Sequence, residues 1–469
     1  MPTRLTIIGA GPGGYVAAIR AAQMGAQVTV VEESKVGGTC LNWGCIPTKS
    51  LIASTESLEH VRDSAKFGIE LTGEVRYNLN KIRERKDRVV ETQSKGIRAL
   101  FKSLRITLIP GKGSLLSDDV VRSVQKDGTT QDIRSDRIII ATGSRPARVP
   151  GFPFDGENVM SSDDAVQLKS IPKHLLIIGA GVIGCEFAFI YRSLGSAVTL
   201  VELLPRALST EDEDMSDIIE REMKKAKITL ITSSSVVNLA ITAAGVMTAH
   251  LSNGQEVSTD AVLVSIGRSL NTEHLRLEDA GLEIGKRGEI PVNEKMETKT
   301  PGVYAVGDVT GRMMLAHVAS RQGIIAAENC LGGDVRMDYS SVPAGIFTRP
   351  EIGSVGIREH QAREQGIAVK VGRFPYRALG KAHSTGEITG LFKVIADAGT
   401  DRVIGVHICG ARASDLVHEG ALAIRMGATA RQLGDMVHAH PTYAEGVGEA
   451  AEDVLGRAIH KPADPRVRR

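Results

Sequence analysis

Blocks of apolar and polar residues along this chain predict a mainly α/β protein. The runs Arg4–Ile8 and His174–Ile178 are apolar at most positions and predict strands buried on both faces. A glycine-rich turn follows each, then an alanine-rich or apolar stretch that predicts a helix. Each helix leads to a second β-type run, Val-Thr-Val-Val at 28–31 and Val-Thr-Leu-Val at 198–201. Residues 80–103 are rich in charge and predict a solvated helix. Pro150-Gly151-Phe152-Pro153 interrupts the pattern and marks a boundary. From Val342 the pattern changes again, to strands at 392–396 and 403–408 and amphipathic helices such as Ala413–Met426.

The two turns are near-copies. The first reads Gly-Ala-Gly-Pro-Gly-Gly from Gly9 and reaches Glu32; the second reads Gly-Ala-Gly-Val-Ile-Gly from Gly179 and reaches Glu202. Both intervals are 23 residues, and Gly9, Gly11, Gly14, Gly25 and Glu32 each match a residue 170 positions later. In such a unit the first glycine (Gly9, Gly179) makes the tight turn. The second (Gly11, Gly181) lets backbone approach a pyrophosphate, and the third (Gly14, Gly184) lets helix pack on strand. The carboxylate at the end of the second strand is expected to accept hydrogen bonds from a ribose diol. A lone fingerprint of this kind is weak evidence; strand, turn, helix and acid in register twice are strong evidence.

Glu202 favours NAD at the second site, because a 2′-phosphate would meet a carboxylate with Leu203 and Leu204 beside it and Arg206 beyond Pro205. The competing reading is a solvated charge at a strand end. The first site is the better FAD candidate. A cysteine pair follows it directly, in Gly37-Gly38-Thr39-Cys40-Leu41-Asn42-Trp43-Gly44-Cys45-Ile46-Pro47-Thr48-Lys49, and a flavin can exchange electrons with both a dithiol and a nicotinamide.

The pair Cys40 and Cys45 has three readings. A zinc site normally uses closer spacing and a second ligand pair, and none follows, so no metal is expected. A structural disulfide does not suit a chain that otherwise looks cytosolic. A redox disulfide suits the surroundings: the glycines allow a helix entry whose positive end lowers a thiol pKa, and Lys49 adds a cation one helical turn after Cys45. Such a relay needs a base. Two histidines compete in His438-Ala439-His440-Pro441-Thr442-Tyr443-Ala444-Glu445. Pro441 restricts the backbone of His440, and Glu445 lies within reach of its imidazole. His438 has neither feature and reads as a structural or surface residue.

Composition adds limits. A chain of 469 residues calls for three or four domains. A net charge of +2 carries no nucleic-acid or membrane signature, and the Arg466-Val467-Arg468-Arg469 tail is short. Of the five cysteines, Cys185, Cys330 and Cys409 lie in apolar or helical surroundings and are expected to be buried thiols. Met1-Pro2-Thr3 leads straight into the first strand and no apolar run is long enough to span a bilayer, so a cytoplasmic protein is expected.

With these segments in view, the chain resembles the pyridine nucleotide–disulfide oxidoreductases over essentially all its length except the last few residues. The likeness also rests on Ala141-Thr142-Gly143, Ser265-Ile266-Gly267-Arg268, Thr300-Pro301-Gly302-Val303-Tyr304-Ala305-Val306-Gly307-Asp308, Leu315-Ala316-His317, Val342-Pro343 and Thr348-Arg349-Pro350-Glu351-Ile352-Gly353. It implies an α/β fold of two Rossmann-like dinucleotide-binding domains plus a C-terminal α+β interface domain. The implied division is 1–149 for FAD, 150–271 for NAD, 272–342 completing the flavin site and 343–469 for dimerisation.

The resemblance is strongest to members that oxidise protein-bound dihydrolipoamide to lipoamide and reduce NAD to NADH. It implies that Cys40 is the exchange thiol and Cys45 the flavin-facing thiol. Lys49 would lie near the flavin N5 and pair with Glu186 beside the nicotinamide, and Asp308 would touch the flavin ribitol. Thr39, Thr142, Gly143, Gly267 and Ala316 fall on the family's cofactor-binding motifs. His440, oriented by Glu445, would take the proton from the substrate dithiol. The working unit would be a homodimer in which each base serves the partner's dithiol. Its partners would be lipoyl domains of a 2-oxo acid dehydrogenase or glycine-cleavage complex. Trp43 and Tyr443-Ala444 depart from the usual pattern, the latter replacing Leu-Ser, and both could reshape the substrate entrance. The alternative is an NAD(P)H-dependent disulfide or mercuric reductase of the same family. Glu202 and the lack of a C-terminal cysteine pair weigh against those forms.

Overall fold

In the computed structural model, which describes residues 1–241 and 247–462, the apolar runs become the middle strands of two parallel sheets. The basic run at 466–469 lies outside the described residues. The chain folds as two compact units. One comprises Met1–Pro150, Ser161–Leu168 and Gly267–Asp338; the other comprises Gly151–Met160, Lys169–Ile266 and Tyr339–Arg469.

In the first unit the sheet order is Val303–Ala305, Arg137–Ile140, Arg4–Ile8, Gln27–Glu32, Thr107–Pro110, with every neighbouring pair parallel. Ile7, Val30 and Ile139 are fully buried, as strands covered on both faces require. The helix Pro12–Gln23 packs on the helix Ala316–Cys330 at glycine contacts: a Cβ on Gly323 would stand 2.3 Å from the Gly13 carbonyl oxygen. The charged stretch forms the helix Leu79–Ser103, whose Arg85 donates to Ser50 Oγ (2.8 Å) on the helix Cys45–Arg62. Lys86 on the same helix reaches the Val166 carbonyl and Gln167, which ties Ser161–Leu168 into this unit.

The second unit holds two five-stranded sheets. The parallel one runs Ile228–Ile231, Ala197–Val201, His174–Ile178, Ala261–Val264, Val159–Met160. The antiparallel one runs Ala344–Ile346, Glu351–Gly356, Val403–Gly410, Leu391–Asp397, Val369–Pro375. The helices Ala413–Met426 and Glu445–Val454 lie on the antiparallel sheet over Gly353 and Gly372, where a Cβ would approach carbonyl oxygens to 2.2 and 2.0 Å. Its core is aromatic and aliphatic, with Tyr376 stacked on Phe392 at 4.3 Å between centroids.

A buried charge cluster joins the antiparallel sheet to the start of the helix Glu213–Lys225. The Lys393 ammonium, 1 % exposed, lies 2.6 Å from Asp212, 2.7 Å from Asp214 and 2.6 Å from Glu359, and Arg373 binds Asp214 and Glu359 as well. Burial opposes the lysine charge, yet the carboxylates hold its pKa above the ordinary value. Losing one partner of such a cluster strands buried charge, which costs about 3–5 kcal/mol. Cys185, Cys330 and Cys409 are buried, in keeping with the apolar surroundings noted above. No helix among the described residues is long and apolar enough to cross a membrane.

His438 proves to be structural. Its ring, 8 % exposed, places Nε2 2.8 Å from Glu419 Oε1 and Nδ1 3.1 Å from the Met436 carbonyl. The hydrogen bond to Glu419 raises the His438 pKa against the opposing effect of burial. A raised folded pKa gives stability that is complete below the unfolded value and lost as pH rises through the folded one. Glu419→Gln should therefore destabilise the protein by roughly 1–2 kcal/mol near pH 5.5 and by clearly less near pH 8.5. Thermal midpoints at the two pH values check this; an equal penalty at both would contradict it.

Candidate active site

The two glycine turns are built alike. Gly9 and Gly179 have φ of +101° and +99°, which a side chain would strain, and each backbone N–H bonds the end of the next strand at 2.8 Å, Val31 and Val201 respectively. A Cβ on Gly14 would stand 1.9 Å from the Gly9 oxygen, and one on Gly184 would stand 2.0 Å from the Gly179 oxygen. Helix and turn therefore touch backbone to backbone. Gly11 and Gly181 differ: apart from its chain neighbours, a Cβ on Gly181 would meet nothing within 4 Å, and one on Gly11 would meet only Gly38 Cα, at 3.9 Å. Each begins a twelve-residue helix with no side-chain cap, so free N–H groups face open space. Both turns therefore fit a pyrophosphate.

The carboxylates also match. Glu32 accepts from Ala10 N (2.7 Å) and Ser34 N (2.8 Å); Glu202 accepts from Ala180 N (2.6 Å) and Leu204 N (2.9 Å). Each brackets its own turn, and each oxygen keeps a lone pair for a hydroxyl. Burial raises the Glu32 pKa, and the backbone bonds only partly offset it. Around Glu202, Leu203 and Leu204 are exposed, while Arg206 is bonded to the Glu211 and Ser209 carbonyls and to Ser216 Oγ. The next cation along the chain is thus already engaged, which fits a carboxylate that meets a ribose.

The dithiol segment is seated on the first turn. Gly37 N donates to the Ala10 carbonyl (2.8 Å), and a Cβ on Gly38 would stand 2.5 Å from Gly11 Cα. Cys40 lies in the short helix Gly38–Asn42, and Cys45 opens the eighteen-residue helix Cys45–Arg62. Cys45 thus has the position at the positive helix end, and it is the more exposed of the two. The thiols are hydrogen-bonded. That bond, then burial, raises the Cys40 pKa, against the opposing pull of Lys49. The lowering expected of one thiol therefore does not fall on Cys40, where the bond to Cys45 and burial outweigh Lys49. Trp43 is half-buried, with the Lys35 ammonium 5.6 Å from its ring.

Other candidate ligands of this unit converge through bonds that spacing alone does not reveal. Ser144 Oγ donates to Asp308, and Arg268 Nε lies 2.6 Å from Ser144 Oγ and 3.8 Å from Asp308. Thr39 Oγ1 reaches the Ser144 carbonyl at 3.4 Å. Thr142 and Asn271 exchange hydrogen bonds of 2.7 and 2.9 Å, with Gly143 beside them at φ +67°. Gln322 holds Gly307 N at 2.7 Å, next to Asp308. Gly267 faces open space and Ala316 begins an uncapped helix. Ser144, Asn271 and Gln322 were absent from the sequence reading; Ser144 directly follows the Ala-Thr-Gly motif, the one local signal for it.

The second unit carries the base candidate. His440 Nδ1 lies 2.8 Å from Glu445 Oε1, and Glu445 Oε2 accepts from Thr442 N at 2.8 Å. Partial burial opposes ionisation of Glu445, but these bonds hold its pKa below the usual carboxylate value. The His440 side chain is 76 % exposed. Glu186 is buried and accepts from Phe347 N (3.0 Å). Lys49 and Glu186 belong to different units. Tyr443, expected near an entrance, is turned inward and is 9 % exposed.

Comparison with known proteins gives the same picture. Residues 3–323 match the pyridine nucleotide-disulphide oxidoreductase family, and residues 342–451 match its dimerisation domain. The chain is 42 % identical to a dihydrolipoyl dehydrogenase of Chlamydia trachomatis over 458 residues, covering 97 % of both chains. It is 40 % identical to that of Bacillus subtilis, covering 97 % of this chain and 98 % of the relative. Among solved structures, LpdA of Mycobacterium tuberculosis matches with a TM-score of 0.90 at 30 % identity, covering 96 % of this chain and 99 % of that one. The HOCl-induced flavoprotein disulfide reductase RclA of Escherichia coli matches at 0.85 and 26 %, with coverage of 96 % and 99 %. The chain belongs to the pyridine nucleotide-disulphide oxidoreductases, a family of FAD- and NAD-using enzymes that act on sulfur groups.

Proposed function

We propose that this protein oxidises protein-bound dihydrolipoamide to lipoamide and reduces NAD. The observation that carries the reading is the seating of the Cys40–Cys45 segment on the first nucleotide turn, Gly38 against Gly11. The first turn and Glu32 would hold FAD, which would supply two-electron chemistry between a dithiol and a nicotinamide, and the second turn and Glu202 would hold NAD. The second dinucleotide is taken to be NAD because Glu202 has exposed leucines beside it and Arg206, the next cation along the chain, is bonded elsewhere. The 1–149, 150–271, 272–342 and 343–469 segments serve as FAD, NAD, central and interface parts.

The chain's own groups supply the thiol chemistry. In the oxidised enzyme a substrate thiolate attacks Cys40 Sγ, the Cys40–Cys45 bond breaks, and Cys45 leaves as thiolate at the start of its helix. The second substrate thiol then displaces Cys40 and closes lipoamide, so the electron pair now resides on the two cysteines. His440 takes the substrate's proton at Nε2, because its Nδ1–H is directed at Glu445. Lys49 balances the negative charge on the thiols. Thr39, Thr142, Gly143, Gly267, Asp308 and Ala316 line the flavin side, and Glu186 the nicotinamide side.

The protein works as a homodimer with shared sites, in the cytoplasm, and its macromolecular partners are lipoyl domains. Its match to a dimerisation domain supports the first of these. The expected activity is NADH formation from dihydrolipoamide with NAD⁺ well ahead of NADP⁺. His440→Gln and Cys45→Ser should each lower it by about two to four orders of magnitude. Faster NADPH-driven reduction of glutathione disulfide would overturn the reading in favour of a reductase. Refolding Cys45→Ser chains together with His440→Gln chains should restore up to about a quarter of wild-type activity, since half of randomly paired dimers hold one intact site. If verified heterodimers remain as inactive as their parents, each base serves its own chain.

A further inference from the structure

We propose that Tyr443 and Thr385 form a positioning pair that aims the His440–Glu445 element, and that their hydrogen bond sets the rate of the proton transfer assigned to His440. This rests on the function proposed above. His440 bonds Glu445, and Glu445 bonds Thr442 N, so these contacts close within residues 440–445. Such a local ring fixes the imidazole against its carboxylate and, through Glu445, to the start of the helix Glu445–Val454. None of its bonds holds the middle of the loop between His440 and that helix to a neighbouring element. Within its own chain the His440 ring is largely exposed, so its own subunit gives it little packing.

Tyr443 lies within this segment and points out of the ring into the protein. Its side chain enters the aromatic core 5.6 Å from the Tyr376 centroid, and its hydroxyl stands 2.6 Å from Thr385 Oγ1 on the helix Gly380–Thr385. The direction of that bond follows from proton supply. Thr385 Oγ1 lies 3.0 and 3.3 Å from the Lys381 and Ala382 carbonyls, which claim its single hydrogen. Thr385 therefore accepts and Tyr443 donates. On the other side of His440, His438 is tied to Glu419 on the helix Ala413–Met426. The base is thus held between two anchors on two helices.

Small displacements of a catalytic group weigh heavily on rate, up to about a hundredfold for an ångström. In the FAD-loaded full-length protein, Tyr443→Phe and Thr385→Val should each lower kcat for dihydrolipoamide oxidation by roughly three- to tenfold, with KM changed less than about twofold. Thr385→Ser should restore the rate, and the double variant should be no slower than the slower single one. NADH-driven reduction of the flavin in the same preparations should keep its wild-type rate, because it does not call on His440. Tyr443→Phe, which keeps the ring, decides the matter if Thr385→Val fails to accumulate. Unchanged kcat in Tyr443→Phe, or an equal fall in both half-reactions, would overturn the inference. Wild-type activity in His440→Gln would instead overturn the underlying reading of the site.

Discussion

The contact of the third glycine of each turn with the carbonyl of the first is the constraint from which the rest follows. At Gly14 and Gly184 a single added carbon would fall about 2 Å from backbone oxygen. Because helix and turn can meet this closely, the helix N-terminus is brought to the strand's end and its free N–H groups gather over Gly11 and Gly181. The glutamate of each unit then closes the turn by accepting the next backbone N–H, at Ala10 and Ala180. In the first copy the same closeness extends one layer further. Gly38 sits on Gly11, so the dithiol helix is registered to the turn by backbone contact rather than by side chains that could adjust.

The base side follows a different rule. There the reacting ring is exposed, and order comes from bonds to charged or buried partners around it. Hydrogen bonds to a charged group are worth about 1.5–3 kcal/mol. Two of them act on Glu445 and one joins His438 to Glu419. The Lys393 cluster adds a second fixed link in this unit, between the helix Glu213–Lys225, which opens at Asp212, and the strand Leu391–Asp397. The unit that carries His440 is thereby stiffened by polar contacts as much as by its aromatic core.

Local features of this architecture were legible in the sequence. The glycine turns, their glutamates, the first strands and the helix Ala413–Met426 depend on residues close in the chain, where spacing and periodicity carry the information. In the Ser144–Arg268–Asp308 network Ser144 meets partners more than 100 residues away; each member lies in or beside a local motif, but no local pattern announces that they bond to one another. Nor does periodicity say which way Tyr443 points, since one loop residue beside a proline and two histidines has no amphipathic frame. Glycine content points to a helix entry but does not say which sulfur lies at it; Cys45 opens the longer helix, while the bond between the two thiols raises the pKa of Cys40.

The central claim is that one chain stores an electron pair on Cys40 and Cys45 in addition to the pair taken by its flavin. Anaerobic titration of the FAD-loaded protein with dithionite measures this directly. The account predicts uptake of about four electrons per chain, two for each two-electron couple, and about two in Cys45→Ser. Uptake of about two electrons by the unmutated protein would mean that the cysteines take no part, and would contradict it.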